Sequence, residues 1–201
     1  MQRTWRDWNP APGFPALARE DLYLNEELHA RRDFEYATSA QGGAQYGNVT
    51  KIIEWGNGGA TKLRTTLRTY FPNATPSVYI VNKVAEERIL NGSEVCQRDT
   101  FYTYDNATDF HTPPTSKGLP HQVLGPYSAT YGCGYSGSTL SRFEYTDSYG
   151  NQTLAEDAHG RKTRTTYDHI FHAFPVSVSV EAASEYNGAT RPTLTTTNAY
   201  Y

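Results

Sequence analysis

Along much of the chain apolar and polar residues alternate, and the alternating runs end alike. In "FPVSVSVEA", Val176, Val178 and Val180 take one side while Ser177, Ser179 and Glu181 take the other, the side-chain period of a β-strand. Phe34 and Tyr36 share a face by the same count, as do Phe143 and Tyr145; the alternation in "LRTTLRTY" is less clean. The runs close on tyrosine: "RRDFEY" at Tyr36, "RTTLRTY" at Tyr70, "RDTFYTY" at Tyr104, "LSRFEY" at Tyr145, "TRTTY" at Tyr167 and "TLTTTNAY" at Tyr200. Turn-forming stretches follow three of them, "FPN", "DNATD" and "DHIFHAFP".

A second element, "QYGNVTKIIEW" at 45–55 and "SYGNQTLAED" at 148–157, places Gly-Asn before a strand. Glycine reaches positive φ without steric cost and asparagine tolerates it, so Gly47-Asn48 and Gly150-Asn151 are expected to reverse the chain. The spacing between strand endings runs from about twenty to about forty residues, the range of repeat architectures. One unit is a β-hairpin. A lone hairpin is marginal in water and needs neighbours alongside, so the pattern predicts an all-β fold of consecutive antiparallel hairpins forming one continuous curved sheet.

Two regions depart from it. Residues 1–32 form a proline-rich lead ("NPAPGFPA") followed by "LAREDLYLNEELHARR" at 17–32, where Leu17, Leu24 and Leu28 fall on one side of a short helix. Residues 33–201 carry the hairpin units. Within them, 111–139 has the glycine and proline of a long connection, with a short strand expected around Gln122–Leu124.

Composition agrees with strands. Aromatics are 13% of the 201 residues and charged residues 19%, with Tyr 16 and Met 1, which suits half-buried pleats and tight turns better than helices. A net charge of −3 argues against a nucleic-acid footprint, and no apolar run is long enough for a membrane-spanning helix. The N-terminus lacks the apolar core of a signal peptide. Cys96 and Cys133 fit neither a zinc site nor a CxxC motif; one disulfide or two buried thiols remain open. Sequons stand at Asn48, Asn73, Asn91, Asn106 and Asn151 and matter only in a eukaryotic secreted protein.

"FEYTDSYGNQTLAEDAHGRKTRTTYDHIFHAFPVSV" resembles the RHS/YD-repeat family, whose units carry Tyr-Asp, Gly-Asn and a Thr-rich strand. "QYGNVTKIIEWGNGG", "LRTYFPN…YIVNKVAEERI" and "FYTYDNATDFHTPPTSKGLPHQV" are similar to the looser repeats of RHS proteins and toxin-complex shell components. The resemblance covers roughly residues 33–201. It implies a β-strip wound into a hollow shell that encloses a toxin or other passenger polypeptide, or, as in teneurins, part of a cell-surface adhesion protein. The same resemblance implies a secreted or cell-surface location, with the rest of the shell and a passenger as partners. Only Tyr104-Asp105 and Tyr167-Asp168 keep the Tyr-Asp pair; the self-cleaving core motif, plug and effector of the family have no counterpart, and a closed shell needs many more strands. A fragment of a larger shell is therefore expected, with unpaired terminal strands prone to edge-to-edge association.

Candidate chemistry is thin. Asp168, His169 and His172 suggest zinc, but two histidines three apart fall on opposite faces of a strand. Asp105, Asp109 and His111 suggest acid/base work or calcium, yet the spacing lacks the acidic density calcium needs, and Asx-turns account for it. "GYSGS" at 134–138 is the nearest approach to a nucleophile elbow and reads as a glycine-rich loop. No catalytic, cofactor-binding or metal-ligating residue is assigned, and no cofactor is expected. The reading is a non-catalytic wall segment. Its rival is a secreted carbohydrate- or protein-binding module acting through surface tyrosines, and a His/Asp hydrolase comes last.

Overall fold

In a computed structural model the described residues are 1–9, 15–38, 46–125, 139–145, 147–181 and 193–200. Among them the chain is β throughout: β1 (Gln2–Asn9), β2 (Ala16–Leu24), β3 (Glu27–Tyr36), β4 (Val49–Gly56), β5 (Thr61–Tyr70), β6 (Asn73–Ala74), β7 (Tyr79–Ile80), β8 (Val84–Asn91), β9 (Cys96–Tyr104), β10 (Pro120–Leu124), β11 (Thr139–Glu144), β12 (Leu154–Asp157), β13 (Lys162–Tyr167), β14 (Pro175–Glu181) and β15 (Leu194–Thr197). Thirteen of these form one open antiparallel sheet in which each strand lies beside its neighbour in sequence, and β6–β7 make a small separate hairpin between β5 and β8. The hairpin strip expected from the alternation is present, and β10 falls where the short strand at 122–124 is expected.

The expected helix over 17–32 is not there. Ala16–Leu24 pairs with β1 on one side and with β3 on the other. Between β2 and β3 only Asn25 (φ 49°) and Glu26 (φ 71°) intervene, the left-handed pair of a two-residue hairpin turn whose twist matches the strands it joins. Leucines at 17, 24 and 28 satisfy a helical spacing, but backbone pairing on both sides outweighs that weak preference.

Among the described residues, tight turns join β2–β3, β4–β5, β8–β9 and β12–β13 at one end of the strip, and longer connections, such as 71–83, 105–119 and 168–174, lie at the other. Gly47-Asn48 and Gly150-Asn151 belong to the longer loops. There Gly47 (φ 67°) and Gly150 (φ 89°) turn the chain toward β4 and β12, so they end a long reversal rather than forming a two-residue turn. At the tight end Gly92 is required by close approach: a Cβ there would stand 2.1 Å from the Lys62 carbonyl oxygen.

One layer cannot bury a broad apolar face. The buried apolar side chains among the described residues are Ala16, Ala37, Ala85, Phe101, Leu124 and Leu154, beside the buried polar Asp21, Asn48, Thr65, Thr66, Asp99, Thr100 and Thr103. The strand pairs themselves therefore carry much of the cohesion. Across β1–β5 one register row reads Arg6, Glu20, Arg32, Glu54, Arg64. Its neighbours ion-pair at 3.0 Å (Arg6–Glu20), 3.8 Å (Arg32–Glu20) and 3.4 Å (Arg32–Glu54), with Arg64 closing on Glu54.

Candidate functional site: the tyrosine rim

The strand-ending tyrosines all lie at the long-loop end, and the register explains why. Glu35 pairs with Lys51 and Tyr36 with Val49, so Thr50 is an extra residue. The same slip leaves out Ala85 beside Tyr70–Val84, His121 beside Tyr104–Pro120 and Val176 beside Tyr167–Pro175. Each is a β-bulge, which bends the strand and increases its twist.

From the bulge each phenol crosses its own hairpin. The hydroxyl of Tyr36 donates to the Leu17 carbonyl at 3.0 Å, Tyr70 to Val49 at 2.9 Å and Tyr104 to Val84 at 2.8 Å. Tyr167 donates to Gln152 at 3.2 Å and Tyr200 to Pro175 at 3.0 Å. Val49, Val84 and Pro175 thus each pair with one tyrosine and accept from the next. In β1 the equivalent position is Trp8, which pairs with Leu17 after a bulge at Ala18. The tyrosines latch neighbouring strands in two runs, β1–β9 and β12–β15. Burial raises the phenol pKa of Tyr36 and Tyr70. Tyr104 is pushed up to about 12 by burial and then by the neighbouring Tyr102 and Tyr70 phenols.

The aspartate of the Tyr-Asp pair does a different job. Asp105 (φ 52°) turns into the loop, and its carboxylate accepts backbone N–H groups from Thr115, Ser116, Lys117, Gly118 and Leu119 at 2.8–3.3 Å. Asp168 accepts from Ile170, Phe171, Ala173 and Phe174. Asp147 accepts from Tyr149, Gly150 and Asn151. Desolvation pushes all three carboxyls up, but these N–H donors outweigh it and hold them below the usual carboxylate range. Tyrosine ties strands together and aspartate shapes the loop that follows.

The other sequence candidates resolve accordingly. His169 and His172 lie in the 168–174 loop rather than on a strand, and the His172 ring stacks on Tyr149 with centroids 4.1 Å apart. Asp109 accepts from the backbone N–H of His111 at 2.9 Å and contacts its Nδ1 at 2.8 Å, while Asp105 faces residues 115–119. Among the described residues no three His, Cys, Asp or Glu side chains gather in a metal-binding group. Residues 134–138 and Cys133 lie outside the described residues; Cys96 is disulfide-bonded. Of the sequon asparagines, Asn48, Asn73 and Asn151 use their amides as donors within the fold, to Val81, Pro114 and both Asp147 and His172, whereas Asn106 is exposed. A shallow hollow beside Tyr167 is lined by Glu144, Asp147, Arg164 and His172, but Arg142 holds Glu144 and the loop N–H groups hold Asp147. The latch acceptors are main-chain carbonyls far back in the sequence; the repetition of Tyr at strand ends was the one available signal for them.

No family model matches the chain, and no curated protein matches it. Among solved structures it is similar to the crystal structure of TcdB2-TccC3-Cdc42, with a TM-score of 0.35 and 9% identity over 90% of this chain. The chain spans 9% of the length of that one. A likeness at this level decides neither fold nor function.

Proposed function

We propose that the chain is a non-catalytic wall segment of an RHS/YD-repeat shell, whose enclosed volume isolates a toxin or other passenger polypeptide. The observation that carries the reading is the latched single layer: hairpins added in sequence order and braced across neighbouring strands by Tyr36, Tyr70, Tyr104, Tyr167 and Tyr200. Such a sheet grows by adding units and has two faces, as a wall requires. Its partners are the remainder of the shell and the passenger, with a cell-surface protein or glycan as an outer contact. Nucleic acid is not among them, and the location is secreted or cell-surface. The rival binding module relies on tyrosines free to meet a ligand; here five of the six recurring ones, Tyr36, Tyr70, Tyr104, Tyr167 and Tyr200, are engaged with backbone carbonyls, which favours the wall.

The test is the size of the native gene product on a denaturing gel, detected by an antibody raised to this chain. A band far above 22.5 kDa is expected. A band at the chain's own size would overturn the wall reading and bring the binding module forward.

A further inference from the structure

Asp99 lies on β9, in the middle of the strip, and is wholly buried. It stands directly opposite Arg88 of β8, and Glu86, two residues before Arg88, falls on the same face of the sheet. The Arg88 guanidinium serves both carboxylates. Its Nη2 donates to Glu86 Oε1 at 2.6 Å, and its Nε donates to Asp99 Oδ2 at 3.1 Å. The Thr69 hydroxyl donates to Glu86 Oε2 at 3.1 Å. Asp99 Oδ1 has no hydrogen-bond partner among the described residues, yet the Asp99 and Glu86 carboxyls lie within hydrogen-bonding reach of each other.

The charges of this cluster do not balance. Two carboxylates against one guanidinium leave one negative charge, and the described neighbours do not cancel it. Leu67 and Thr69, which face the cluster from β5, are uncharged, and Lys51 beyond Leu67 is held by Glu35. Arg68 and Glu87 bond each other on the opposite face, where Arg98 bonds Thr100. Glu94, in the β8–β9 turn, is taken by Lys62. Toward β10 stand Phe101 and Leu124; Phe110 of the 105–119 loop packs on Phe101, and His111 beside it contacts Asp109. Residues 126–138 contain no acidic, basic or histidine side chain. A buried carboxylate left without compensation takes up a proton rather than keep its charge, and of two carboxyls sharing a site one holds its proton to higher pH. Desolvation accordingly raises the Asp99 pKa, against the lowering by Arg88 and with a further rise from Glu86.

We propose that Glu86 and Asp99 hold one proton between them, which makes the Glu86–Arg88–Asp99 cluster a proton-binding joint between β8 and β9. With the proton in place the Asp99 carboxyl donates to Glu86, both carboxyls keep Arg88, and the charges sum to zero. When the proton leaves, two carboxylates share one cation, and their repulsion loosens the strand pair that carries them. A group whose folded pKa is raised contributes its stability in full below the unfolded value, here 3.8, and loses it as pH rises through the folded one, by proton linkage. The joint is therefore tightest in acid and slackens as pH rises. The loop aspartates Asp105, Asp147 and Asp168, whose pKa values are lowered, respond in the opposite sense.

Amide exchange of the 201-residue chain tests this, each rate divided by that of an unstructured chain at the same pH, with far-UV circular dichroism confirming the β fold of each variant. Protection across β8 and β9 in the wild type is expected to fall between about pH 5 and about pH 8. Asp99→Asn puts an amide donor where the proton sits, and Glu86→Gln removes the surplus charge, so each should flatten that fall. A carboxyl raised by burial alone would keep its pH dependence in Glu86→Gln, and this variant separates sharing from burial. Wild-type protection that does not change with pH, or a Glu86→Gln protein that loses protection as the wild type does, would overturn the proposal. The infrared band of a protonated carboxyl is a second readout that needs no stability change. It should persist in the wild type above about pH 5, where ordinary carboxyls have lost their protons, and be missing from both variants. Its absence from the wild type, or its persistence in either variant, would equally overturn the shared proton. The cluster belongs to β8 and β9 whatever the strip encloses, so its failure leaves the wall reading standing, and the gel experiment leaves the joint untouched.

Discussion

Replacing Tyr104 with phenylalanine removes one oxygen from the middle of the strip and leaves the ring in place, including its contact with Lys83 Nζ at 5.7 Å. The lost hydrogen bond, 2.8 Å to the Val84 carbonyl, contributes about 1 kcal/mol net. The acceptor left behind raises the cost to about 1–2 kcal/mol where water reaches it poorly. The pH dependence gives an independent handle. Burial, followed by the Tyr102 and Tyr70 phenols, raises the folded pKa from 10.0 to about 12. A group whose folded pKa is raised contributes its stability in full below the unfolded pKa, near 10, and loses it as pH rises toward 12. At full burial this rise corresponds to roughly 2–3 kcal/mol, and solvent screening of the partly exposed phenol reduces it to about 1–2 kcal/mol. Urea unfolding followed by circular dichroism between pH 7 and 12, with tyrosinate absorbance recorded in parallel, measures both quantities. Tyr104→Phe should be the less stable protein at pH 7, and the two curves should converge in alkali. Equal stability at pH 7, or an alkaline loss as steep in the variant as in wild type, would refute the latch. Tyr36→Phe and Tyr104→Phe share no latch residue and should add; Tyr70→Phe and Tyr104→Phe meet at Val84 and should couple by 0.5 kcal/mol or more, an order-of-magnitude figure.

Asp105→Ala strands the N–H groups of residues 115–119 and should cost about 2–4 kcal/mol, read as lost amide-exchange protection across that loop. Because the folded pKa of Asp105 is lowered, its contribution is present above the unfolded value and is lost as pH falls through the folded one. Protection of the loop in the wild type should therefore decline below about pH 4. Asp99 is fully buried, its Oδ1 lacks a hydrogen-bond partner among the described residues, and Arg88 Nε meets Oδ2 at 3.1 Å. Asp99→Asn should thus change the urea midpoint little, whereas Arg88→Ala, leaving the carboxylate uncompensated, should cost about 3 kcal/mol; the reverse order would contradict this account. Desolvation, against the attraction of Arg88, raises the Asp99 pKa, so its contribution to stability grows as pH falls, opposite to that of Asp105. In the ion row, Arg32→Glu faces Glu20 and Glu54 and should destabilise by about 1–2 kcal/mol at low salt. Unfolding at about 1 M salt should shrink that difference; a salt-independent loss would mean the row is not electrostatic.

What the sequence determined by itself was what a local period can carry. Alternation in "PVSVSVE", tyrosine at the close of successive runs and Gly, Pro and Asn between them specify strands, their rough ends and an all-β strip, because side-chain period and turn chemistry depend on near neighbours. Residues 17–32 show where that stops. Leu17, Leu24 and Leu28 fit a helix, Asn25-Glu26 carries no glycine to mark a turn, and only strands on both sides decide the hairpin. The tyrosine rim divides the same way. Its recurrence was legible. The acceptors, carbonyls of Leu17, Val49, Val84, Gln152 and Pro175, were not, since a backbone carbonyl has no side-chain signature and becomes available only when a bulge and a register bring it under the phenol. Asp105 could be read as a turn residue, but its gathering of five N–H groups needs residues 115–119 folded back upon it. Tertiary structure alone decided these, because pairing across distant segments is selected by the sum of many weak contacts, and no short stretch of sequence contains that sum.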